Sequence, residues 1–155
     1  YKLSAVRRHD GDWQYKVKVS EQTTKVSTPG SLQVRRYFDD EGFIADMTYE
    51  EGIGVPDDPI IVDPTDYTHR KRVESTAGYE ELLIPIMRAG KRVYECPPLS
   101  ESRQRTFDQI GALHASIRRF VNPHRYPAGL ELGLHELKTD LILEARAHAE
   151  RQGAD

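Results

Sequence analysis

The N-terminal third of the chain alternates apolar and polar positions with a period of two. From Trp13 to Val19 every second side chain is apolar, and lysines at 16 and 18 fall between them. This is the pattern of a half-buried β-strand. The Asp10-Gly11 pair just before it suits a tight hairpin turn, so we predict that Tyr1–Arg8 pairs with Trp13–Val19.

A second hairpin is predicted directly after the first. The segments SLQVRRYF, residues 31–38, and FIADMTY, residues 43–49, flank an acidic turn from Asp39 to Gly42. Both segments alternate apolar with polar side chains, as expected for neighbouring strands with one covered face. The N-terminal part of the chain is therefore predicted to be a β-meander.

The apolar pattern weakens in the middle of the chain. Between Glu50 and Glu81 it is interrupted by Gly, Pro and charge, and we expect a single strand there, at Ile60–Val62. The basic run THRKRVE, residues 68–74, is expected to be a solvated loop because it lacks interleaved aromatic residues. From Leu82 to Pro98 two apolar arms around Ala89-Gly90 predict another hairpin.

The spacing becomes helical in the C-terminal third. Ser100 is predicted to cap a helix that ends at Asn122-Pro123. Its apolar positions recur every three or four residues, at Phe107, Ile110, Leu113, Ile117 and Phe120. A second helix, from about Glu131 to Gln152, has an apolar stripe through Leu134, Leu137, Leu141 and Ala145.

These elements predict an α+β chain with hairpins in its N-terminal half and two helices at its C-terminal end. We divide it into a β-rich part at 1–50, an irregular connection at 51–81, and a hairpin with a two-helix appendage at 82–155. The apolar alternation is already under way at Tyr1. We therefore expect the chain to be a fragment of a longer protein.

The charge, the apolar runs and the cysteine content of the chain argue against several classes of function. The 155 residues carry a net charge of -3, so no overall field attracts nucleic acid or anionic lipid. The longest apolar run, Leu82–Met87, is too short to cross a bilayer, and the single cysteine, Cys96, cannot form a disulfide within the chain. We expect a cytoplasmic protein with no nucleic-acid or membrane partner.

Candidate chemistry is concentrated near the N-terminus. Thr23, Thr24, Lys25, Ser27 and Thr28 precede a Pro29-Gly30 turn, and hydroxyl, backbone N–H and ammonium donors together can bind a phosphate. Lys2, Lys18 and Lys25 could converge on one anion in three dimensions. The alternative is that the turn and the lysines form the solvated face of a sheet.

No catalytic or metal-binding motif is present in the sequence. His135 begins HELK, which lacks the second histidine of a zinc-binding H-E-x-x-H. Asp140, Glu144 and His148 lie on one helical face, where an exposed charged stripe is the simpler interpretation. We therefore assign no catalytic residue and no metal ligand to this chain.

The segment VNPHRYPAGL, residues 121–130, has two prolines that stiffen the backbone between the predicted helices. We expect a rigid connector that Arg125 and Tyr126 attach to the rest of the protein.

Together with YKL at Tyr1 and the segments Lys18–Val34 and Leu82–Arg105, this connector resembles, in order and spacing, the C-terminal part of bacterial nicotinate phosphoribosyltransferases. The resemblance implies a type II phosphoribosyltransferase with an irregular α/β barrel and a β-rich domain, working as a homodimer. It implies formation of nicotinate mononucleotide and pyrophosphate from nicotinate and phosphoribosyl pyrophosphate in NAD biosynthesis. It further implies a requirement for Mg²⁺ and coupled ATP hydrolysis, with both bound mainly by a preceding barrel.

The same resemblance implies that Lys2, Lys18 and Lys25 approach the phosphate and pyrophosphate site across the dimer interface. After the Pro-Gly turn this sequence has Ser31-Leu32 where many relatives are more basic, so Lys25 is a better candidate than the turn. This chain alone is expected to be inactive. The rival hypothesis is a non-enzymatic β-plus-helix interaction module of common ancestry.

Overall fold

The computed structural model describes residues 2–7, 9, 11–20, 22, 25–74 and 76–152. Within them the chain forms ten strands and three helices. The strands are β1 (Ala5–Arg7), β2 (Trp13–Tyr15), β3 (Leu32–Asp39), β4 (Gly42–Glu50), β5 (Ile60–Val62), β6 (Arg70–Arg72), β7 (Gly78–Glu81), β8 (Met87–Arg88), β9 (Lys91–Arg92) and β10 (Ala128–Glu131). The helices are α1 (Leu99–Gly111), α2 (Ala115–Arg118) and α3 (Leu132–Gln152).

The two predicted N-terminal hairpins are present. β1 pairs antiparallel with β2, with Val6 opposite Gln14, although Tyr1, Arg8 and Asp10 lie outside the described residues. β3 pairs antiparallel with β4 across the acidic turn. The first hairpin forms its own two-stranded sheet, while the second lies within a six-stranded sheet.

The six-stranded sheet has the order β6-β5-β10-β4-β3-β7. The strand β10 lies in the middle of this sheet, where it runs parallel to β4 and antiparallel to β5. A hydrogen bond between Tyr126 and Asp46, which lie 80 residues apart in sequence, holds the end of the connector against β4. The mixed sheet and three helices confirm the predicted α+β class.

The core is built on the second hairpin. Ala45 and Met47 are two residues apart on β4, so they share one face of the sheet, and both are fully buried. They cluster with Tyr37, Ile61 and Val73. The helix α3 packs against β10, β5 and β4, where its Leu134 is fully buried.

Three expectations for the middle and the C-terminal third are wrong. The interval after Glu50 holds β6 and β7 in addition to β5, so the basic run contributes an edge strand. Ser100 does not cap α1, because Pro98 occupies the N-cap position and makes no side-chain hydrogen bond there. The first helix also stops at Gly111 and does not reach Asn122.

The helix stops where the main sheet binds its C-terminal end. The backbone N–H of Phe43 donates to the Ala112 carbonyl oxygen over 2.9 Å, and Phe43 also forms a parallel bridge with Leu113. The helix α2 then begins at Ala115, with His114 as its N-cap, since the His114 side chain accepts from the Ser116 N–H. The predicted apolar stripe is thus interrupted: Phe107 and Ile110 lie on α1 and Ile117 on α2, while Leu113 and Phe120 lie outside both helices.

The predicted hairpin around Ala89-Gly90 is confirmed as β8 and β9, although each strand has only two residues. The predicted second helix is confirmed as α3. No helix within the described residues has the length and apolarity needed to cross a membrane.

Candidate functional site

The loop between β2 and β3 folds back toward the N-terminus. The Ser4 carbonyl oxygen accepts from the backbone N–H of Lys16 (2.8 Å) and from that of Gly30 (3.1 Å). Within the loop, the Lys18 N–H donates to the Ser27 hydroxyl over 2.7 Å, and the Ser27 N–H donates to the Lys18 carbonyl over 3.2 Å. The loop therefore brings three separate stretches of sequence together.

Two of the three predicted phosphate-binding lysines are in direct contact. The Lys2 Nζ atom donates to the Lys25 carbonyl oxygen over 2.9 Å. Lys18 is joined through its backbone to Ser27, two residues after Lys25. All three lysines are exposed, and none forms an ion pair with a residue that the structure describes. Thr23 and Thr24 of the same candidate site lie outside those residues.

A fourth lysine joins this cluster from the C-terminal helix. Lys138 of α3 is partly buried, and its Nζ atom lies 3.2 Å from the Thr28 hydroxyl. Burial lowers the pKa of Lys138, and the positive charge of Lys2 lowers it further. Sequence reasoning missed this role, because in the sequence Lys138 is one of many polar positions on an amphipathic helix.

A cavity of about 510 Å³ opens beside Lys138, between α3 and the loop before β3. Its polar lining includes Lys138, Arg146, Ser20, Thr28 and Thr139. Its apolar lining includes Val26, Tyr67, Leu130, Ile142 and Leu143. The charged groups of this lining are both positive, which suits an anion that also meets an apolar wall.

The Pro29-Gly30 turn has a structural role, which differs from the role predicted for the lysines. The buried Glu50 carboxylate accepts from the Ser31 N–H (3.1 Å) on one side. On the other side it accepts from the N–H groups of Gly52 (2.7 Å) and Ile53 (2.9 Å). A carboxylate so close to the turn repels an anion, which favours Lys25 over the turn as a phosphate contact.

The predicted connector is attached to the sheet as expected. The Arg125 guanidinium pairs with the Asp63 carboxylate over 2.7 Å. The Tyr126 hydroxyl donates to Asp46 of β4 over 2.9 Å. These two contacts fix the start of β10 and, through it, the position of α3 and Lys138.

Among the described residues, the lysine cluster brings together hydrogen-bond donors and no set of metal ligands. Within them, no group of three His, Cys, Asp or Glu side chains is placed to hold a metal. Ammonium and hydroxyl groups, which dominate the lysine cluster, donate hydrogen bonds to anions. The donor set therefore fits a phosphate and does not fit Mg²⁺ directly.

Comparison with solved structures shows the class of fold. The chain is similar to the crystal structure of human nicotinic acid phosphoribosyltransferase, with a TM-score of 0.64 and 24% sequence identity. The similarity covers 85% of this chain and 27% of that one, so the chain spans about a quarter of its structural relative. The α+β fold is thus one found in an enzyme of the phosphoribosyltransferase class.

The sequence shows the family. Residues 32–138 match the model of the nicotinate phosphoribosyltransferase C-terminal domain, and the chain belongs to this family. A comparison with curated proteins finds no match. The predicted resemblance to this family is therefore confirmed, and the matched residues include the hairpin around Ala89-Gly90 and the connector, while the loop before Leu32 lies outside them.

Proposed function

We propose that this chain is the C-terminal part of a nicotinate phosphoribosyltransferase. The whole enzyme would join nicotinate to phosphoribosyl pyrophosphate, giving nicotinate mononucleotide and pyrophosphate in the cytoplasmic synthesis of NAD. Mg²⁺ and ATP would be bound mainly outside this chain. The family match supports the enzyme, and the cluster of exposed lysines supports a part for this chain in it.

The cluster is the observation that carries the proposal. The Lys2 ammonium donates to the Lys25 carbonyl oxygen, and the Lys18 backbone is bonded to Ser27, two residues after Lys25. Departure of pyrophosphate leaves negative charge on its oxygens as the bond to the ribose breaks. Ammonium groups that are already in position stabilise this charge in the transition state.

The homodimer belongs to the same proposal. The three lysines are exposed, and they lie on a segment of the chain to which we assign no catalytic residue. A second subunit would bring the phosphoribosyl pyrophosphate bound in its barrel to this surface. The lysines would then act across the subunit interface.

The first test is product formation by the longer protein that contains this chain. It would receive nicotinate, phosphoribosyl pyrophosphate, Mg²⁺ and ATP, with nicotinamide as the competing base. We expect nicotinate mononucleotide from nicotinate. Absence of product from either base would favour the rival hypothesis of a non-enzymatic interaction module.

The second test is Lys25→Ala in that longer protein. We expect the apparent KM for phosphoribosyl pyrophosphate to rise by about tenfold, because one charged hydrogen-bond donor to a phosphate is lost. The unfolding midpoint should not change, since the Lys25 side chain is exposed. Lys91→Ala, a change at an exposed lysine of β9, is the matched control; equal kinetics for the two variants would remove Lys25 from the site.

A further inference from the structure

We propose that Lys138, together with Lys2 and the Thr28 hydroxyl, forms a pyrophosphate-binding site at the mouth of the cavity beside α3. This inference takes the identity of the anion from the proposed function. It adds to that function a residue on the C-terminal helix, about 110 positions away in sequence from the loop that it joins.

The first argument is the cost of an uncompensated charge. Lys138 is partly buried, and no carboxylate among the described residues pairs with it. Its one side-chain hydrogen bond within that part of the chain is to the neutral Thr28 hydroxyl. A cation removed from water without a counter-ion is unfavourable, so a bound anion would stabilise this arrangement.

The second argument is the neighbouring like charge. Lys2 lies close enough to Lys138 to lower its pKa, in addition to the larger effect of burial. The Lys2 Nζ atom is itself held by a carbonyl oxygen, that of Lys25. Two ammonium groups that repel one another are favoured together when an anion lies between them.

The third argument is the shape and chemistry of the adjoining space. The cavity of about 510 Å³ has a second cation, Arg146, two helical turns beyond Lys138 on α3. Arg146 also has no ion pair within the described part of the chain. Hydroxyls of Ser20 and Thr28 supply neutral donors to the same space. Several charged and neutral donors suit an anion with many oxygens, and pyrophosphate has more of them than inorganic phosphate.

The anion expected here is therefore the pyrophosphate group of phosphoribosyl pyrophosphate or the pyrophosphate that it releases. Both present the same oxygens to the lysines. The probe for the test is inorganic pyrophosphate added to the 155-residue chain, with sodium chloride of matched ionic strength as the reference, because salt alone screens exposed charges.

Binding would be followed by the backbone amide NMR signals of Thr28, Lys138 and Thr139. We expect saturable shifts in the wild-type chain and a dissociation constant raised about tenfold in Lys138→Met. Lys138→Arg keeps the positive charge and should bind within about threefold of the wild type. Lys91→Met carries the same change in net charge away from the cavity and should bind like the wild type.

Thermal unfolding provides a second readout that separates a loss of binding from a loss of folding. Without ligand, Lys138→Met should unfold no earlier than the wild type, since an uncompensated charge has been removed. At one concentration, pyrophosphate should raise the unfolding temperature of the wild type more than that of Lys138→Met, because the variant binds it more weakly.

Equal affinity of Lys138→Met and the wild type would overturn the inference, even if the longer protein makes nicotinate mononucleotide. No saturable binding by the wild-type chain would overturn it as well. Conversely, Lys138-dependent binding together with an inactive longer protein would retain this anion site and reject the proposed enzyme.

Discussion

At the scale of single residues, one carboxylate connects three parts of the sheet. Asp46 on β4 accepts two hydrogen bonds from the Arg36 guanidinium on β3, both of 2.8 Å. It accepts a third from the Tyr126 hydroxyl of the connector. The bond to Asp46 raises the pKa of Arg36. Burial, and then the bond to Asp46, raise the pKa of Tyr126.

Tyr126→Phe tests the contribution of this contact to stability. The change removes one hydrogen bond to a charged group while leaving Asp46 paired with Arg36, so the free energy of unfolding should fall by about 1–2 kcal/mol. Urea unfolding measures this difference. Tyr79→Phe is the control, because the exposed Tyr79 hydroxyl has no hydrogen bond to a described residue; an equal loss in both variants would contradict the assignment.

The raised pKa of Tyr126 also predicts how stability depends on pH. The hydroxyl is neutral when protonated, and its folded-state pKa lies above the ordinary value of 10.0. Its contribution is therefore complete below about pH 10 and is lost as the pH rises through the folded pKa. The wild type should lose stability more steeply than Tyr126→Phe between about pH 9 and about pH 12, and parallel profiles would contradict this. Some alkaline loss should remain in the variant, since burial also raises the pKa values of Tyr15, Tyr37 and Tyr49.

At the scale of elements, the sequence pattern predicts those strands and helices that one covered face determines. The period-two alternation of β3 and β4 and the helical spacing of α3 each reflect one covered face, and each pattern predicts its element at nearly the observed position. The short strand β10, AGLE, has no such alternation. It becomes a strand by pairing with β4 and β5. Because these two strands lie far away in sequence, a local pattern does not contain that information.

The dependence on tertiary contacts also explains the other differences between the predicted and the observed elements. The strand β6 is the basic tripeptide Arg70–Arg72, and charged side chains suit an edge strand while resembling a loop in sequence. The break between α1 and α2 depends on a tertiary bond to Phe43. At the candidate site, the family resemblance suggested the loop lysines as phosphate contacts, which stays a prediction, whereas Lys138 became a candidate only once the packing of α3 was known.

The turn before β3 and the end of β4 provide a test of how two elements are joined. Gly30 has φ +92°, and a Cβ atom there would collide with the Glu50 side chain. Gly54 has φ +79°, but nothing lies within 4 Å of the point that a Cβ atom would occupy there. Gly54→Ala thus has a backbone cost alone, of about 1 kcal/mol, while Gly30→Ala also displaces the buried carboxylate and should cost at least about 3 kcal/mol. Equal unfolding free energies for the two variants would mean that Glu50 is not held rigidly.

At the scale of the whole molecule, the core and the arm from Leu82 to Gly111 differ sharply. The core around β4 is fully buried, whereas α1 has no buried residue. The arm leaves large apolar side chains exposed at Leu83, Ile84, Ile86, Met87, Val93, Leu99, Phe107 and Ile110. Of the alternating apolar residues Trp13, Tyr15 and Val17 of the first hairpin, by contrast, only Trp13 is largely exposed, at 60%.

The arm should therefore dominate the binding of hydrophobic dyes by this chain. Dyes of this kind bind where several apolar side chains are exposed near one another, and single exposed residues contribute little. The double variant Ile84→Gln/Ile86→Gln should lower dye fluorescence and self-association by about half. It should leave the unfolding midpoint unchanged, because neither side chain belongs to the core.

The control is Leu3→Gln/Ile53→Gln, which removes two side chains that are 60% and 48% exposed outside the arm. An equal decrease in both variants would show that the exposed apolar surface is spread over the molecule, and a wild-type monomer without dye binding would show that the arm folds onto itself in solution.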